Sequence, residues 1–182
     1  MNKPRIAITV GDPAGIGPEI AARAAADKRV LAACEPVLYG PPESAVFQTG
    51  VVSAEAGKAA YETVCRAVND ARSGLIAGIA TAPVNKLAFA RAGLPWKGHT
   101  DLLGHLTGSP RVAMMFWSER LKVVLATVHV PLADVPKLMT ADLLAGVIDL
   151  TARELPRFGI ASPRLALAGV NPHAGEDGLL GS

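Results

Sequence analysis

Aromatic side chains are scarce in this chain: Phe, Trp and Tyr make up 4% of its 182 residues, although hydrophobic residues make up 50%. A core built largely from alanine, valine, leucine and isoleucine favours helices packed on a sheet over a β-sandwich rich in aromatic pairs. The length is sufficient to bury such a core, either as one domain or as two small lobes.

A large excess of positive or negative charge is also lacking. The formal net charge is only +2, and lysine and arginine nowhere form a basic run. Because nucleic acids and anionic membranes are bound by concentrated positive charge, the composition indicates neither as a partner.

Long hydrophobic runs and clustered cysteines are absent as well. No apolar run is long enough to cross a bilayer, and the first is too short for a signal peptide because Gly11, Asp12 and Pro13 interrupt it. Cys34 and Cys65 lie far apart in apolar contexts, which is typical of buried free thiols in a reducing compartment. We therefore expect a cytoplasmic protein.

Short apolar stretches alternate along the chain with segments of helical periodicity. This alternation predicts an α/β fold with a doubly wound, mostly parallel sheet. The predicted strands are residues 5–10, 36–40, 75–80, 112–117, 121–131 and 164–169. The predicted helices include residues 54–72, a short helix capped by Thr100 and a helix capped by Thr140.

A glycine-rich turn, residues 11–17, follows the first predicted strand. Its spacing matches neither the dinucleotide fingerprint nor the phosphate-binding loop of nucleotide-binding proteins. Pro18 suits the first turn of a helix, and Glu19 complements the positive helix end. Exposed amides in such a turn can hold a phosphate, but a turn that only connects a strand to a helix has the same composition. Both interpretations stay open.

A second candidate site lies at the predicted start of the short helix. Gly98 frees the backbone there, and Thr100 is suited to the N-cap position. A helix start that also presents an imidazole and a hydroxyl can hold a phosphate or a carboxylate, which makes His99 and Thr100 candidate substrate-binding residues. Plain capping, with His99 at the surface, is the alternative. We expect His105 to be a surface or packing residue.

Histidines also lie at the ends of two successive predicted strands. His129 is near the end of residues 121–131, and His173 follows residues 164–169. Parallel strands present their carboxyl ends at one edge of a sheet, where ligands bind. The pattern therefore predicts His129 and His173 as a pair of metal ligands, with ordinary hydrogen-bonded histidines as the alternative. Because a catalytic zinc site uses about three protein ligands, a third must come from elsewhere.

Five ordered motifs together resemble the 4-hydroxythreonine-4-phosphate dehydrogenases, a family that serves pyridoxal phosphate biosynthesis. The motifs are GDPAGIGPE at residues 11–19, APVNK at 82–86, GHTD at 98–101, TVHVP at 127–131 and NPHAGE at 171–176. The resemblance covers essentially the whole chain and implies a fold like that of isocitrate and isopropylmalate dehydrogenases, with two α/β lobes around a cleft, assembled as a homodimer.

The resemblance also implies roles for particular residues. His129 and His173 match the first two metal ligands of the family, and His99 and Thr100 match substrate contacts. It implies a divalent cation (Zn, Mg, Co or Mn) that holds the substrate and NAD or NADP as hydride acceptor. The substrate, 4-phosphohydroxy-L-threonine, is then oxidised and loses carbon dioxide to give 3-amino-2-oxopropyl phosphate. The cation would acidify the bound alcohol and stabilise the enolate left by decarboxylation.

The chain stops at residue 182 within a motif, where the family continues. The continuation carries the third metal histidine, which reaches the site across the dimer interface, as well as basic residues for the substrate phosphate and most of the NAD-binding loops. We therefore expect residues 1–182 to be the N-terminal portion of a two-lobed dehydrogenase, as a truncated form or gene fragment. A non-catalytic module of the family is the alternative.

The connection at residues 47–51 is shorter than in the biosynthetic enzyme. In this respect the chain is similar to relatives that act on threonate 4-phosphate, erythronate 4-phosphate or aromatic dihydrodiols. The substrate is therefore expected to be 4-phosphohydroxy-L-threonine or a related compound from this group.

Overall fold

The computed structural model of the protein describes residues 3–181 and divides the chain into two compact units. The first unit spans Met1–Pro110 and the second spans Arg111–Ser182. No helix within residues 3–181 is both long and apolar enough to span a membrane.

The first unit is built on a parallel sheet of three strands in the order β2–β1–β3. Its elements are β1 (Arg5–Thr9), α1 (Gly17–Ala26), α2 (Lys28–Ala33), β2 (Glu35–Tyr39), α3 (Ala54–Arg72), β3 (Gly78–Thr81), α4 (Lys86–Arg91) and α5 (His99–Thr107). In the central strand, Ala7 is in register with Val37 of β2 and with Ile79 of β3. The α/β class and the parallel sheet predicted from the sequence are confirmed for this unit.

Strand β1 is covered by helices on both faces. Ala7 packs with Ala67 of α3 on one face, whereas Ile8 and Val10 pack with Ala21 of α1 on the other. Since successive side chains of a strand point to opposite faces, a continuously apolar strand is what two covered faces require.

Helix α3 has the bounds predicted from its periodicity, residues 54–72. The hydroxyl of Ser53 caps its start by accepting a hydrogen bond from the amide of Ala56 at 3.0 Å. Its buried stripe includes Val64 and Val68, which pack with Phe89 of α4 and Leu102 of α5. This cluster, against which Ile79 of β3 also packs, holds α4 and α5 on α3.

The second unit contains an antiparallel hairpin and one long helix. Its elements are β4 (Met114–Trp117), β5 (Lys122–Leu125), a 3-10 turn at Leu132–Asp134, α6 (Val135–Leu138), α7 (Ala141–Glu154), a 3-10 turn at Leu155–Phe158 and an irregular turn at Pro172–Gly178. The predicted Thr140 cap is confirmed, because its hydroxyl accepts from the amide of Leu143 at 3.2 Å. Among the described residues of this unit, Leu155 is the one buried core hydrophobic side chain.

Two strand predictions in the second unit are wrong. Residues 121–131 form a strand only at Lys122–Leu125, and it pairs with β4 antiparallel. The connection from Ser118 to Leu121 is far shorter than the dozen residues that a parallel crossover needs, so a hairpin results. Residues 164–169 form no strand, and their Leu165 and Leu167 side chains are 44% and 65% exposed. The structure therefore shows a parallel sheet and a separate hairpin, whereas a single doubly wound sheet was predicted.

Candidate functional site

The glycine-rich turn after β1 closes on itself. The Asp12 carboxylate is buried and accepts from the amide of Ala14 at 2.9 Å, and the Asp12 carbonyl accepts from the amide of Gly15 at 3.1 Å. The amide of Asp12 donates to the carbonyl of Pro83 at 2.9 Å, which joins this turn to the turn after β3. Three amides are thus used within the protein, which supports a connecting turn over a phosphate-binding loop.

The turn after β3 leads directly into α4. The side chain of Asn85 caps this helix by accepting from the amides of Leu87 and Ala88 at 3.0 and 3.1 Å. Lys86 is exposed. Since β1 and β3 are neighbouring parallel strands, the two bonded turns lie at the carboxyl edge of the sheet.

Helix α5 begins at His99, one residue after the extended Gly98. The prediction that Thr100 is the N-cap is wrong. Gly98 takes that position, and the helix start has no side-chain cap. The carboxylate of Asp101 instead accepts from the amide of Lys97 at 2.5 Å. Glycine has no side chain with which to cap, so the acid in the first turn reaches back to the chain before the helix.

The imidazole of His99, at this helix start, has an atom whose hydrogen-bonding capacity is unused. Its Nε2 atom is buried and has no hydrogen-bond partner within residues 3–181. Burial lowers the pKa of the His99 ring because it penalises the cation, while the nearby Asp101 carboxylate acts in the opposite direction. The ring is therefore mainly neutral at neutral pH, with one nitrogen that donates and one that accepts. A buried polar atom without a protein partner can form a hydrogen bond with water or with a ligand.

The other side chains of α5 have structural surroundings. Thr100 is half-buried beside His99. His105 is exposed, and its ring lies against Trp96 with 4.5 Å between the ring centroids. The prediction that His105 is a surface or packing residue is confirmed.

The two histidines predicted as metal ligands both lie in the second unit, on turns and not at strand ends. His129 is exposed and lies four residues beyond the end of β5. His173 is exposed in the irregular turn at Pro172–Gly178. Both have left-handed backbone conformations, with φ of 55° and 51°. The sheet edge that was expected to bring them together is not formed, because residues 164–169 make no strand.

No group of three or more His, Cys, Asp and Glu side chains that could hold a metal ion occurs in the described part of the chain. Imidazole is a suitable donor for zinc, but two imidazoles do not complete a site. Metal binding by His129 and His173 stays a prediction, and it requires a further ligand from outside residues 3–181.

Two polar features of the first unit were missed from the sequence. Asp101 follows Gly98 by three residues, which is the spacing of a capping acid and could have indicated its bond to Lys97. The second feature is an open cavity of about 520 Å³ at the end of β2. There the hydroxyl of Tyr39 donates to Asp70 at 2.6 Å, and burial together with this bond raises the pKa of Tyr39. No local sequence pattern could have predicted this contact, because Tyr39 and Asp70 lie far apart in the chain.

A parallel sheet with helices on both faces of its central strand and polar turns at its carboxyl edge defines the first unit as an open-sheet α/β unit. A model of the family described as "Pyridoxal phosphate biosynthetic protein PdxA" matches residues 15–182. The chain belongs to this family.

Named relatives agree with this assignment. The chain is 38% identical to a 4-hydroxythreonine-4-phosphate dehydrogenase of Desulfosudis oleivorans, over 100% of this chain and 66% of the relative. It is 36% identical to a D-threonate 4-phosphate dehydrogenase of Cupriavidus necator, over 98% of this chain and 65% of the relative. The crystal structure of 4-hydroxythreonine-4-phosphate dehydrogenase from Klebsiella pneumoniae matches with a TM-score of 0.87 at 35% identity, covering 99% of this chain and 68% of that one. The chain thus spans about two thirds of the length of its relatives.

Proposed function

We propose that the protein serves the NAD(P)-linked oxidation, with decarboxylation, of 4-phosphohydroxy-L-threonine or a related phosphorylated hydroxy acid in pyridoxal phosphate biosynthesis. Relatives at 36–38% identity carry the names of such dehydrogenases, and the family model covers residues 15–182. The structural observation that supports a ligand site most directly is the buried Nε2 of His99, which has no partner in residues 3–181.

We assign substrate binding to His99 and Thr100 at the start of α5. The first amides of a helix have no partner inside the helix, and the positive end of its dipole favours an anion. A neutral imidazole and a hydroxyl beside these amides add hydrogen bonds without a second positive charge. The arrangement suits a phosphate or a carboxylate of the substrate.

We assign His129 and His173 as two ligands of a divalent cation. They are two of the five non-glycine residues with positive φ among the described residues, and a strained backbone that is retained is found preferentially at functional sites. The remaining ligand is assigned to a second subunit of a homodimer, to a portion outside the two thirds of the relatives matched here, because residues 3–181 hold no complete set.

The fold proposed for the whole protein is that of the isocitrate and isopropylmalate dehydrogenases. The parallel sheet of the first unit, with helices on both faces of β1, supports it. NAD or NADP is the proposed hydride acceptor. The turn at residues 11–17 is not assigned to this cofactor, since three of its amides already bond within the protein.

The similarity to a D-threonate 4-phosphate dehydrogenase favours a second candidate substrate. The D-threonate 4-phosphate dehydrogenase of Cupriavidus necator is 36% identical, almost as similar as the 4-hydroxythreonine-4-phosphate dehydrogenase at 38%. Threonate 4-phosphate carries a hydroxyl where 4-phosphohydroxy-threonine carries the amine, so the two substrates share the phosphate and the carboxylate that the start of α5 is proposed to hold. Erythronate 4-phosphate and aromatic dihydrodiols remain further alternatives.

Reduction of NAD or NADP, followed at 340 nm with each phosphorylated acid, tests this proposal. We expect turnover with one of the two acids, and its loss after treatment with a chelator. If the chain binds the phosphorylated acids without reducing either cofactor, it is a non-catalytic module. If it neither binds nor oxidises them, the proposed function is wrong.

A further inference from the structure

Within residues 3–181, Asp101 makes the one side-chain hydrogen bond that spans the start of α5. Its carboxylate accepts from the amide of Lys97, two residues before the helix begins. The bond closes a five-residue loop that contains Gly98, a residue without side-chain restraint. His99 and Thr100 lie inside this loop.

The loop needs such a restraint. Lys97 is exposed, and Gly98 is extended with open space around it, since a Cβ placed there would meet no atom within 4 Å. Side-chain packing therefore does not restrain Gly98. A glycine without packing partners samples many backbone conformations, and each of them would move the first turn of α5 relative to the chain before it.

We propose that Asp101 is the positioning residue of this site: its carboxylate closes the loop from Lys97 to Asp101 and thereby holds the half-buried imidazole of His99 with its Nε2 atom turned inward, where a ligand can bond to it. The ligand part of this statement rests on the proposed function, but the closing of the loop does not. Asp101 is assigned no contact with the substrate.

Two simpler roles for Asp101 have different consequences. An acid in the first turn stabilises any helix through the dipole, without affecting a neighbouring ring. Its charge also acts directly on His99. A variant that keeps a hydrogen-bond acceptor but loses the charge separates these roles from the closing of the loop.

The titration of His99, followed by NMR of the imidazole carbon-bound protons, distinguishes the three roles. In Asp101→Asn the amide oxygen still accepts from Lys97, so the ring stays buried and loses only an attractive charge; its pKa falls further. In Asp101→Ala the loop opens and the ring gains water. Because burial is the larger of the two effects on His99, its pKa then rises toward the ordinary value.

Asp142→Ala is the matched control, because Asp142 is also an acid in the first turn of a helix, α7. It should leave the titration of His99 unchanged. The positioning role is overturned if Asp101→Ala lowers the pKa of His99 as Asp101→Asn does, or if it changes that pKa no more than Asp142→Ala does.

Hydrogen exchange gives a second test that does not depend on the fold of Asp101→Ala. The amide of Lys97 should be protected in the unaltered protein and in Asp101→Asn, although this residue is exposed. Exchange of that amide as fast as in an unfolded peptide would also overturn the proposal.

Binding of 4-phosphohydroxy-L-threonine, measured by calorimetry, connects the loop to the site. We expect Asp101→Ala to bind about tenfold more weakly than Asp101→Asn, because an open loop presents the ring correctly for only a fraction of the time. Equal binding by the two variants would contradict this consequence. Absence of binding by the unaltered protein would instead contradict the proposed function, while the titration and exchange results would still decide the role of Asp101.

Discussion

The amide of Asp12 donates a hydrogen bond of 2.9 Å to the carbonyl of Pro83, and this bond joins the turns that follow two neighbouring strands. Gly11, the residue before Asp12, has a φ of +65°, and a Cβ on it would lie 2.2 Å from the same carbonyl oxygen. Neither a side chain nor an ordinary backbone conformation fits at this point. At the carboxyl edge of the sheet, the turns after β1 and β3 are therefore in direct backbone contact.

Gly11→Ala should lower the free energy of unfolding by about 2–4 kcal/mol, since it adds left-handed strain to a backbone clash. Gly93→Ala is the control: its φ is +71°, but no atom lies within 4 Å of the added Cβ. It should cost only about 1–2 kcal/mol. Urea denaturation of both variants measures the difference, and equal losses would show that the contact with Pro83 is unimportant.

Two glycines inside helices should respond to alanine with opposite signs. A Cβ on Gly57 of α3 would lie 2.2 Å from the carbonyl oxygen of Ala88 in α4, whereas a Cβ on Gly146 of α7 would meet the side chain of Arg111 at an ordinary 3.5 Å. Gly146→Ala should stabilise the protein by about 0.5–1 kcal/mol through helix propensity. Gly57→Ala should destabilise it, because α3 and α4 would have to separate. Stabilisation by both, seen as raised Tm values, would contradict the backbone contact.

The stability should depend on pH through His99. The pKa of its ring is lowered in the folded protein below the ordinary value of 6.5, mainly by burial. Between the lowered pKa and 6.5 the unfolded chain binds more protons than the folded one, so stability rises with pH across this window and levels off above it. His99→Gln should remove this contribution to the slope in urea titrations at several pH values. An unchanged slope would mean that the ring is not buried.

Metal binding should depend on the two histidines of the second unit. We expect Zn²⁺ to bind more weakly, by about tenfold or more, to His129→Ala and to His173→Ala than to the unaltered protein, because each variant loses a ligand. His105→Ala is the control, since that ring is exposed against Trp96. Calorimetric affinities that are equal in all four proteins would count against both assignments.

Local patterns predicted much of the first unit. Helix α3 has its predicted bounds because both its apolar period and its cap lie within its own sequence. The three strands of its sheet shift by no more than three residues at either end, in keeping with the weak signals that mark strand ends. The start of α5 was missed by two positions, because the bond from Lys97 to Asp101 and not the Thr100 hydroxyl spans it.

The second unit was predicted less well, for a physical reason. Whether an apolar stretch becomes a strand depends on a partner elsewhere in the chain, and composition does not name that partner. The short connection between Trp117 and Lys122 was the available signal for a hairpin. The left-handed run at His173–Asp177 has no such signal, since four of its five residues are not glycine.

The most direct test of the account is the affinity of the chain for 4-phosphohydroxy-L-threonine, compared between the unaltered protein, His99→Ala and His105→Ala. Both histidines lie on α5, but only His99 has a buried ring nitrogen without a partner in the described residues. We predict saturable binding that weakens about tenfold or more in His99→Ala, the loss of roughly one charge-assisted hydrogen bond, and that is unchanged in His105→Ala. Equal affinities in all three proteins would contradict the assignment of the substrate site to the start of α5.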